Sequence, residues 1–283
     1  MSGLSPVQIF TLRFIVAYLL LLGWDWARKS VSSPQSVQGN DKDSFHLFCN
    51  NWKDELLMIG LGVTGGSAYF YTENEALRFS TATNVSLIVC SCPLVTTLLF
   101  RFVFKELHLS MTLKVGAVLA FVGMAVVVLN GQFVLLLSPL GDTLAFCACL
   151  SWAVYSILMK YVTGHYDSVF ITRKVFFYGL LTILPYYIIV PDFPSVHELL
   201  QPEVFGNLLF LAVIASLVCF VAWNWALHHL GSIRVTNYVY VNPVSTILFA
   251  SWILNEPITP YFIIGTFLIL LGLYLSNLNK SQV

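Results

Sequence analysis

Charged side chains are what this sequence has least of. Only 10% of its 283 residues are Asp, Glu, Lys or Arg, whereas 58% are hydrophobic and the mean hydropathy is +0.80. A soluble globular domain carries about 25% charged residues. The charges that are present bunch between long apolar stretches. This scarcity of charge excludes a soluble globule and predicts an all-α polytopic membrane protein.

Signatures of several other protein classes are also missing. The net charge is zero, so no basic face is offered to a nucleic acid. The sequence has no P-loop, no nucleophile elbow and no H-E-x-x-H motif, which argues against an ATP-driven pump and against an enzyme. Cys90/Cys92 and Cys147/Cys149 are spaced so that each pair points to roughly opposite faces of a helix, unlike zinc ligands. We therefore expect free thiols, no metal site and no cofactor.

Nine stretches approach the roughly 20 apolar residues that a membrane-spanning helix needs. The connectors between them are short, except for a polar stretch from Arg28 to Glu55 that predicts a flexible loop. The nine predicted spans are Pro6–Trp26, Leu56–Leu77, Ala82–Phe100, Leu113–Leu129, Leu140–Met159, Val175–Val190, Val204–Leu227, Val235–Leu254 and Ile258–Leu278.

Lysine and arginine predict the orientation of these spans, because both residues concentrate in cytoplasmic connectors. One set of alternate connectors holds twelve of them, the other set holds only Arg78, and Arg13 lies within the first span. We therefore expect a cytoplasmic C-terminus and an N-terminus outside. An outside N-terminus without a signal sequence indicates that one helix is missing before Pro6.

The chain also contains an internal repeat. Shifted by 150 residues, Phe70–Leu107 aligns with Phe220–Pro257 without a gap. The matched helices are predicted to run in opposite directions, which makes this an inverted-topology repeat, a layout typical of secondary transporters. We predict two repeats, residues 1–133 with four helices and residues 134–283 with five. Matched polar and helix-breaking positions include Asn74/Asn224, Pro93/Pro243 and Glu106/Glu256.

Short motifs at repeat-related places carry a family resemblance. The second half begins with Gly141–Leu144, Ser151–Tyr155 and Lys160. It closes with Asn224–Leu227, Pro243, Gly265 and Gly272. The first half has Glu75–Arg78 and Pro93 at the matching places. In order and spacing, the chain resembles the EamA branch of the drug/metabolite transporter superfamily. The resemblance implies two five-helix repeats and ten spans, so that nine spans leave the first helix absent. It also implies a permease for amino acids, metabolites or drugs, most often an exporter.

Polar residues at membrane depth are the candidate site residues, because an ionised side chain there costs roughly 2.5–3.5 kcal/mol. Helices broken at matched places in both halves point to a binding site, and Pro93 and Pro243 predict such breaks. The predicted substrate-binding residues are Glu73, Asn74, Trp152, Tyr155, Trp223, Asn224 and Tyr240.

Each candidate also has a structural explanation. Glu75 is expected to form a surface ion pair with Arg78, and Glu73 either pairs with Arg13 or has a substrate or proton role. The asparagines are suited to bridging helices, and the aromatic residues to packing. The glycines are expected to let helices approach closely. They are Gly116, Gly123, Gly265 and Gly272.

The sequence thus predicts a secondary active transporter, an exporter of small metabolites such as amino acids or drug-like compounds, working by alternating access. The alternative is a non-transporting membrane scaffold or an inactive truncated paralogue. The expected partners are a small-molecule substrate and the lipid bilayer, with no nucleic acid. Coupling to protons, with Glu73 as the titratable group, and a homodimer remain open. The expected location is a cell membrane, the inner membrane of a bacterium, crossed many times.

Overall fold

The computed structural model describes residues 4–31, 47–104, 110–131, 138–191, 193–254 and 258–278. Within these ranges the chain is helical, and its β-structure is limited to one bridge between Thr163 and Tyr166. The prediction of an all-α protein is therefore confirmed. The helices are α1 Pro6–Val31, α2 Trp52–Gly62, α3 Ala68–Phe79, α4 Ala82–Val89, α5 Cys92–Val103, α6 Met111–Leu129, α7 Pro139–Val162, α8 Ser168–Ile189, α9 Val196–Leu199, α10 Pro202–Phe210, α11 Cys219–Leu230, α12 Ser232–Asn237, α13 Asn242–Leu254 and α14 Pro260–Asn277.

Seven helical segments of the described ranges are long and apolar enough to cross a membrane. This confirms a polytopic membrane protein, although the predicted count of nine is not confirmed. The two other predicted spans are helical but richer in polar residues. The first is α2 and α3, joined by the π-helical segment Val63–Ser67, and it carries Glu73. The second, Ser232–Leu254, contains Asn237 and changes helix type within its length.

Two predicted boundaries differ from the observed ones. Helix α8 begins at Ser168 rather than at Val175, so Arg173 and Lys174 lie inside a helix and not in a connector. The predicted loop between Arg28 and Glu55 is helical at both ends, because α1 continues to Val31 and α2 begins at Trp52. The centre of that loop lies outside the described residues.

The chain folds into two compact units that do not coincide with the two sequence repeats. Unit 1 comprises Met1–Phe70 and Tyr161–Trp225, and unit 2 comprises Tyr71–Lys160 and Ala226–Val283. Each unit therefore combines segments from both halves of the sequence. The division into repeats at residue 133 stays a prediction about sequence.

Unit 1 is built on an aromatic core around Phe14 of α1, which is completely buried. The centre of the Phe14 ring lies 4.5 Å from the centre of the Phe176 ring on α8 and 5.8 Å from the centre of the Phe220 ring. Gly66 faces Gly179 of α8 so closely that a Cβ at Gly66 would lie 3.1 Å from the Gly179 Cα. The absence of side chains at this contact lets α8 pack directly on the π-helical segment.

Unit 2 contains a similar glycine contact between α6 and α14. A Cβ at Gly116 would lie 2.5 Å from the carbonyl oxygen of Gly272, and one at Gly123 would lie 2.7 Å from that of Gly265. No real Cβ fits at such distances, so glycine is required at this crossing. The predicted role of these four glycines is confirmed.

Candidate functional site

The first helix break lies between α4 and α5 of unit 2. Helix α4 ends at Val89, and α5 begins at Cys92 with Pro93 in its first turn. Proline has no N–H to donate, so it suits a helix start and not a helix interior. The Ser91 hydroxyl donates to the Ile88 carbonyl at 2.6 Å and the Thr97 hydroxyl donates to the Pro93 carbonyl at 2.8 Å. The Ser91 N–H also donates to the Ile88 carbonyl at 3.1 Å, so Ser91 closes the C-terminal end of α4.

The second break lies at the repeat-related position. Helix α12 ends at Asn237, the segment Tyr238–Val241 is a 3₁₀ helix, and α13 starts at Asn242 with Pro243 as its second residue. Because Pro243 cannot donate a backbone hydrogen bond, a regular α-helix cannot run through this point without losing one. A short 3₁₀ segment is a common way to tighten such a junction.

Helix α7 contacts the first break and the start of α12, the helix that leads into the second break. The Cys149 thiol of α7 lies 3.7 Å from the Ser91 hydroxyl at the first break. The Ser232 hydroxyl of α12 donates to the Ser156 carbonyl at 2.9 Å. From Cys149 to Ser156 is about 10 Å of helix. We call residues 90–93, 149–156 and 237–242 the double-break site.

Two predicted aromatic residues lie on this stretch of α7. Trp152 is half-buried, Tyr155 is fully buried, and their ring centroids are 5.2 Å apart. Tyr240, the third predicted aromatic residue of the site, is also completely buried. Trp152 packs against the buried Cys92 and Cys149 at the first break, and Tyr155 packs against Trp152. Tyr240 lies on the second break, within electrostatic range of Cys92 and Cys149.

The second break carries two buried polar side chains, Asn237 at the end of α12 and Tyr240 in the 3₁₀ segment. Asn237 is 1% exposed and Tyr240 is 0% exposed. Within the part of the chain that the structure describes, neither polar atom of the Asn237 amide has a hydrogen-bond partner. The Tyr240 hydroxyl makes no hydrogen bond of normal distance and angle among these residues, and the polar group beside it is the Leu94 backbone of α5. Residues three apart lie on nearly the same face of an α-helix and of a 3₁₀ helix, so Asn237 and Tyr240 are placed on one side of the junction. A buried polar group left unsatisfied costs about 1–3 kcal/mol, which a ligand or a water molecule can recover.

Asn237 was not among the predicted substrate-binding residues. Its position three residues before Tyr240, beside a broken helix, is the signal that identifies it. Other predicted residues of unit 2 lie on α3, where Glu73 and Asn74 are half-buried. Glu73 is within electrostatic range of Cys90 at the first break.

The neighbouring carboxylate Glu75 has a different role. It accepts from Arg78 at 3.0 Å, and the Arg78 side chain is 66% exposed. The predicted surface ion pair is therefore confirmed. Arg13 of unit 1 lies with its guanidinium carbon 4.3 Å from the centre of the Phe70 ring. Its predicted partnership with Glu73 stays a prediction, and Glu106 and Glu256 lie outside the described residues.

Trp223 and Asn224 belong to unit 1, on α11. Trp223 is half-buried and Asn224 is completely buried. The Asn224 side-chain nitrogen donates to the Thr172 hydroxyl of α8 at 2.8 Å. This bond between two helices favours a structural role for Asn224, which was one of the two roles that the sequence left open.

Unit 1 also contains a charged cluster that sequence reasoning missed. Arg173 donates to Asp25 of α1, while Lys174 and Tyr178 both donate to Glu55 of α2. All five side chains are buried. The two ion pairs hold α1 and α2 against α8. A buried charge is tolerated where an opposite charge and hydrogen bonds satisfy it.

Glu55 precedes the apolar stretch that starts at Leu56, and its surroundings keep it ionised. Burial alone would raise its pKa, but hydrogen bonds from Lys174, Tyr178 and the Cys49 backbone outweigh burial and lower the pKa to about 2. The Cys49 N–H donates to the carboxylate at 2.7 Å. Burial and the nearby Glu55 raise the pKa of the Cys49 thiol to about 12. Glu55 is therefore ionised throughout the physiological pH range.

Known proteins are similar to this chain along its whole length. An "uncharacterized transporter" of Archaeoglobus fulgidus is 26% identical over 284 aligned positions, which cover 100% of this chain and 91% of the relative. A "probable amino-acid metabolite efflux pump" of Escherichia coli is 28% identical over 78% of this chain and 76% of its own length. A crystal structure aligns with a TM-score of 0.74 at 16% identity, covering 98% of this chain and 89% of the other, which establishes similarity of fold. The profile of the EamA-like transporter family matches residues 1–129 and again 139–278. The chain therefore belongs to the EamA-like transporter family.

Proposed function

We propose that this membrane transporter is a secondary active exporter of small metabolites, such as amino acids or drug-like compounds, and that it works by alternating access. The observation that carries the proposal is the pair of buried polar side chains, Asn237 and Tyr240, on a broken helix. Irregular backbone at membrane depth is tolerated where it is buried in protein or lines a cavity, and transporters use such breaks to bind substrate. The E. coli relative named as an efflux pump supports export of amino-acid metabolites.

The double-break site supplies the groups that a small polar substrate needs. The Asn237 amide offers two donors and one acceptor, and the Tyr240 hydroxyl offers one donor and accepts as well. Trp152 and Tyr155 add aromatic surface on α7, between its contacts with Ser91 and Ser232. Because Tyr240 of the second break lies within electrostatic range of Cys90 and Cys92 of the first, a substrate that moves one break can shift the other.

Flux measurements test the proposal. The purified protein is reconstituted in proteoliposomes and screened with amino acids, nucleosides and cationic drugs. Tyr240→Phe and Asn237→Leu should raise the substrate concentration for half-maximal flux, because each removes hydrogen-bonding groups and keeps most of the side-chain volume. Tyr238→Phe is the matched control, since Tyr238 lies on the same 3₁₀ segment but is 48% exposed. Absence of flux for every compound would favour a non-transporting scaffold, and equal effects of the two tyrosine changes would refute the site.

The proposed coupling ion is the proton, with Glu73 as the titrating group. Glu73→Gln should abolish flux driven by a pH gradient and preserve exchange of substrate for substrate, because the amide keeps the shape but cannot carry a proton. Glu75→Gln is the matched control on the same helix, since Glu75 is held in its ion pair with Arg78. Unchanged gradient-driven flux in Glu73→Gln would remove this part of the proposal.

The proposed location is the cell membrane, with the C-terminus in the cytoplasm. The uneven distribution of lysine and arginine between alternate connectors supports this orientation. A reporter attached to the C-terminus should be inaccessible in intact cells and become accessible once the membrane is permeabilised.

A further inference from the structure

The two C-x-C pairs of the sequence each turn one thiol inward. Cys92 is 2% exposed and Cys149 is 0% exposed. Their sequence neighbours differ, since Cys90 is half-buried and Cys147 is exposed. All four are free thiols. One buried thiol therefore lies on α5 and the other on α7.

The two buried thiols interact directly within unit 2. The Cys92 sulfur lies 3.6 Å from the carbonyl oxygen of Cys149 and 3.6 Å from the Thr96 hydroxyl. The Cys149 sulfur lies 3.7 Å from the Ser91 hydroxyl. Ala153, one turn further along α7, is packed in the same buried cluster. The contact therefore joins the first helix break to the middle of α7.

We propose that Cys92 and Cys149 form a modification site, a thiol pair that a peroxide converts into a reversible disulfide between α5 and α7. In the first step one sulfur attacks the peroxide, the S–H and O–O bonds break, and a sulfenic acid and water form. In the second step the other sulfur attacks the sulfenic sulfur and loses its proton, the S–S bond forms, and a second water leaves. Two electrons pass from the two sulfurs to one peroxide molecule.

The surroundings determine which oxidant can act. A single buried thiol reacts slowly, but here the second thiol is already in contact and traps the sulfenic acid before further oxidation. Hydrogen peroxide is small and uncharged, so it can enter a buried site that excludes charged reagents. The disulfide is neutral, as the two thiols are, and no charge is created at membrane depth.

A functional consequence rests on the proposed transport function. Alternating access rocks one repeat against the other. Helix α5 belongs to the first predicted repeat and α7 to the second, so a disulfide between them would restrain that motion. Oxidised protein should therefore lose substrate flux and regain it with dithiothreitol. The disulfide itself is measured without transport, so failure of the transporter proposal and failure of the thiol proposal give different results.

The experiment counts thiols in the full-length protein. Protein in detergent is treated with hydrogen peroxide, unfolded, and labelled with a maleimide that adds mass to each free thiol. The reduced protein has six cysteines to label, and the oxidised protein should carry two fewer labels. Mass spectrometry of peptides from the wild-type protein should identify a Cys92–Cys149 cross-link, which keeps the test decisive even where a variant folds poorly.

Matched variants separate this pair from the other thiols. Cys92→Ser and Cys149→Ser should each prevent the loss of two labels and the peroxide effect on flux. Cys147→Ser should keep both, and Cys90→Ser should keep the loss of two labels, because those cysteines are the outward members of the same C-x-C pairs. A cross-link through Cys90 or Cys147, or full labelling after peroxide, would overturn the proposal.

Discussion

Removing Lys174 should destabilise unit 1 more than any change at an exposed lysine. The Lys174 and Glu55 side chains are only 4% and 9% exposed, so Lys174→Met leaves a buried carboxylate without its cation. Breaking a buried ion pair in this way costs about 3–5 kcal/mol. Glu55 keeps its bonds to Tyr178 and the Cys49 backbone, so we expect the lower end of that range.

The double variant makes this prediction specific. Glu55→Gln combined with Lys174→Met removes both charges, and replacing a buried pair by neutral groups is often close to neutral in stability. Thermal unfolding of the detergent-purified protein is the assay, and a loss of about 3 kcal/mol corresponds to roughly 6–12 °C in a domain of about 150–250 residues. Lys53→Met is the matched control because Lys53, on the same helix as Glu55, is exposed. The reasoning would be refuted if Lys174→Met had the same unfolding temperature as the wild type, or if the double variant were as unstable as Lys174→Met.

Three further outcomes are expected. Gly123→Val should lower the unfolding temperature strongly, because the valine side chain would clash with the Gly265 carbonyl of α14. Gly206→Ala should leave the unfolding temperature unchanged, because no atom lies within 4 Å of the added Cβ. Asn224→Leu should cost about 1–3 kcal/mol in the same thermal assay by leaving the Thr172 hydroxyl without its donor. The contribution of Glu55 to the free energy of unfolding should be fully present above about pH 4.5 and be lost as the pH falls through about 2, because the folded state lowers the pKa of Glu55. A Glu55→Gln variant whose stability depends on acid pH in the same way as that of the wild type would contradict this.

Features that depend on local composition were predictable from the sequence. The scarcity of charge predicted a membrane protein, and Pro93 and Pro243 predicted interruptions where the helices do change. The spacing of Gly116 with Gly123, and of Gly265 with Gly272, predicted close helix contact, because glycines seven residues apart fall on nearly the same face of a helix.

Features that depend on distant partners were not predictable. Arg173 and Lys174 look like connector residues, because nothing near them in sequence indicates that Asp25 and Glu55 will neutralise them. Asn237 is one of several asparagines near a break, and only the structure reveals that its amide is buried without a partner. The division into units is equally invisible in the repeat, because it follows packing and not homology.

The interleaving of the chain through the two units has a consequence for biosynthesis. Asp25 and Glu55 are made 148 and 119 residues before Arg173 and Lys174, respectively. The acidic side chains must therefore remain hydrated at the membrane surface until α8 has been translated and inserted. Unit 1 is complete only at Trp225, and unit 2 requires residues beyond Ala226. A ribosome that stops at the sequence boundary between the repeats has released neither unit, so this protein reaches its native packing only late in synthesis.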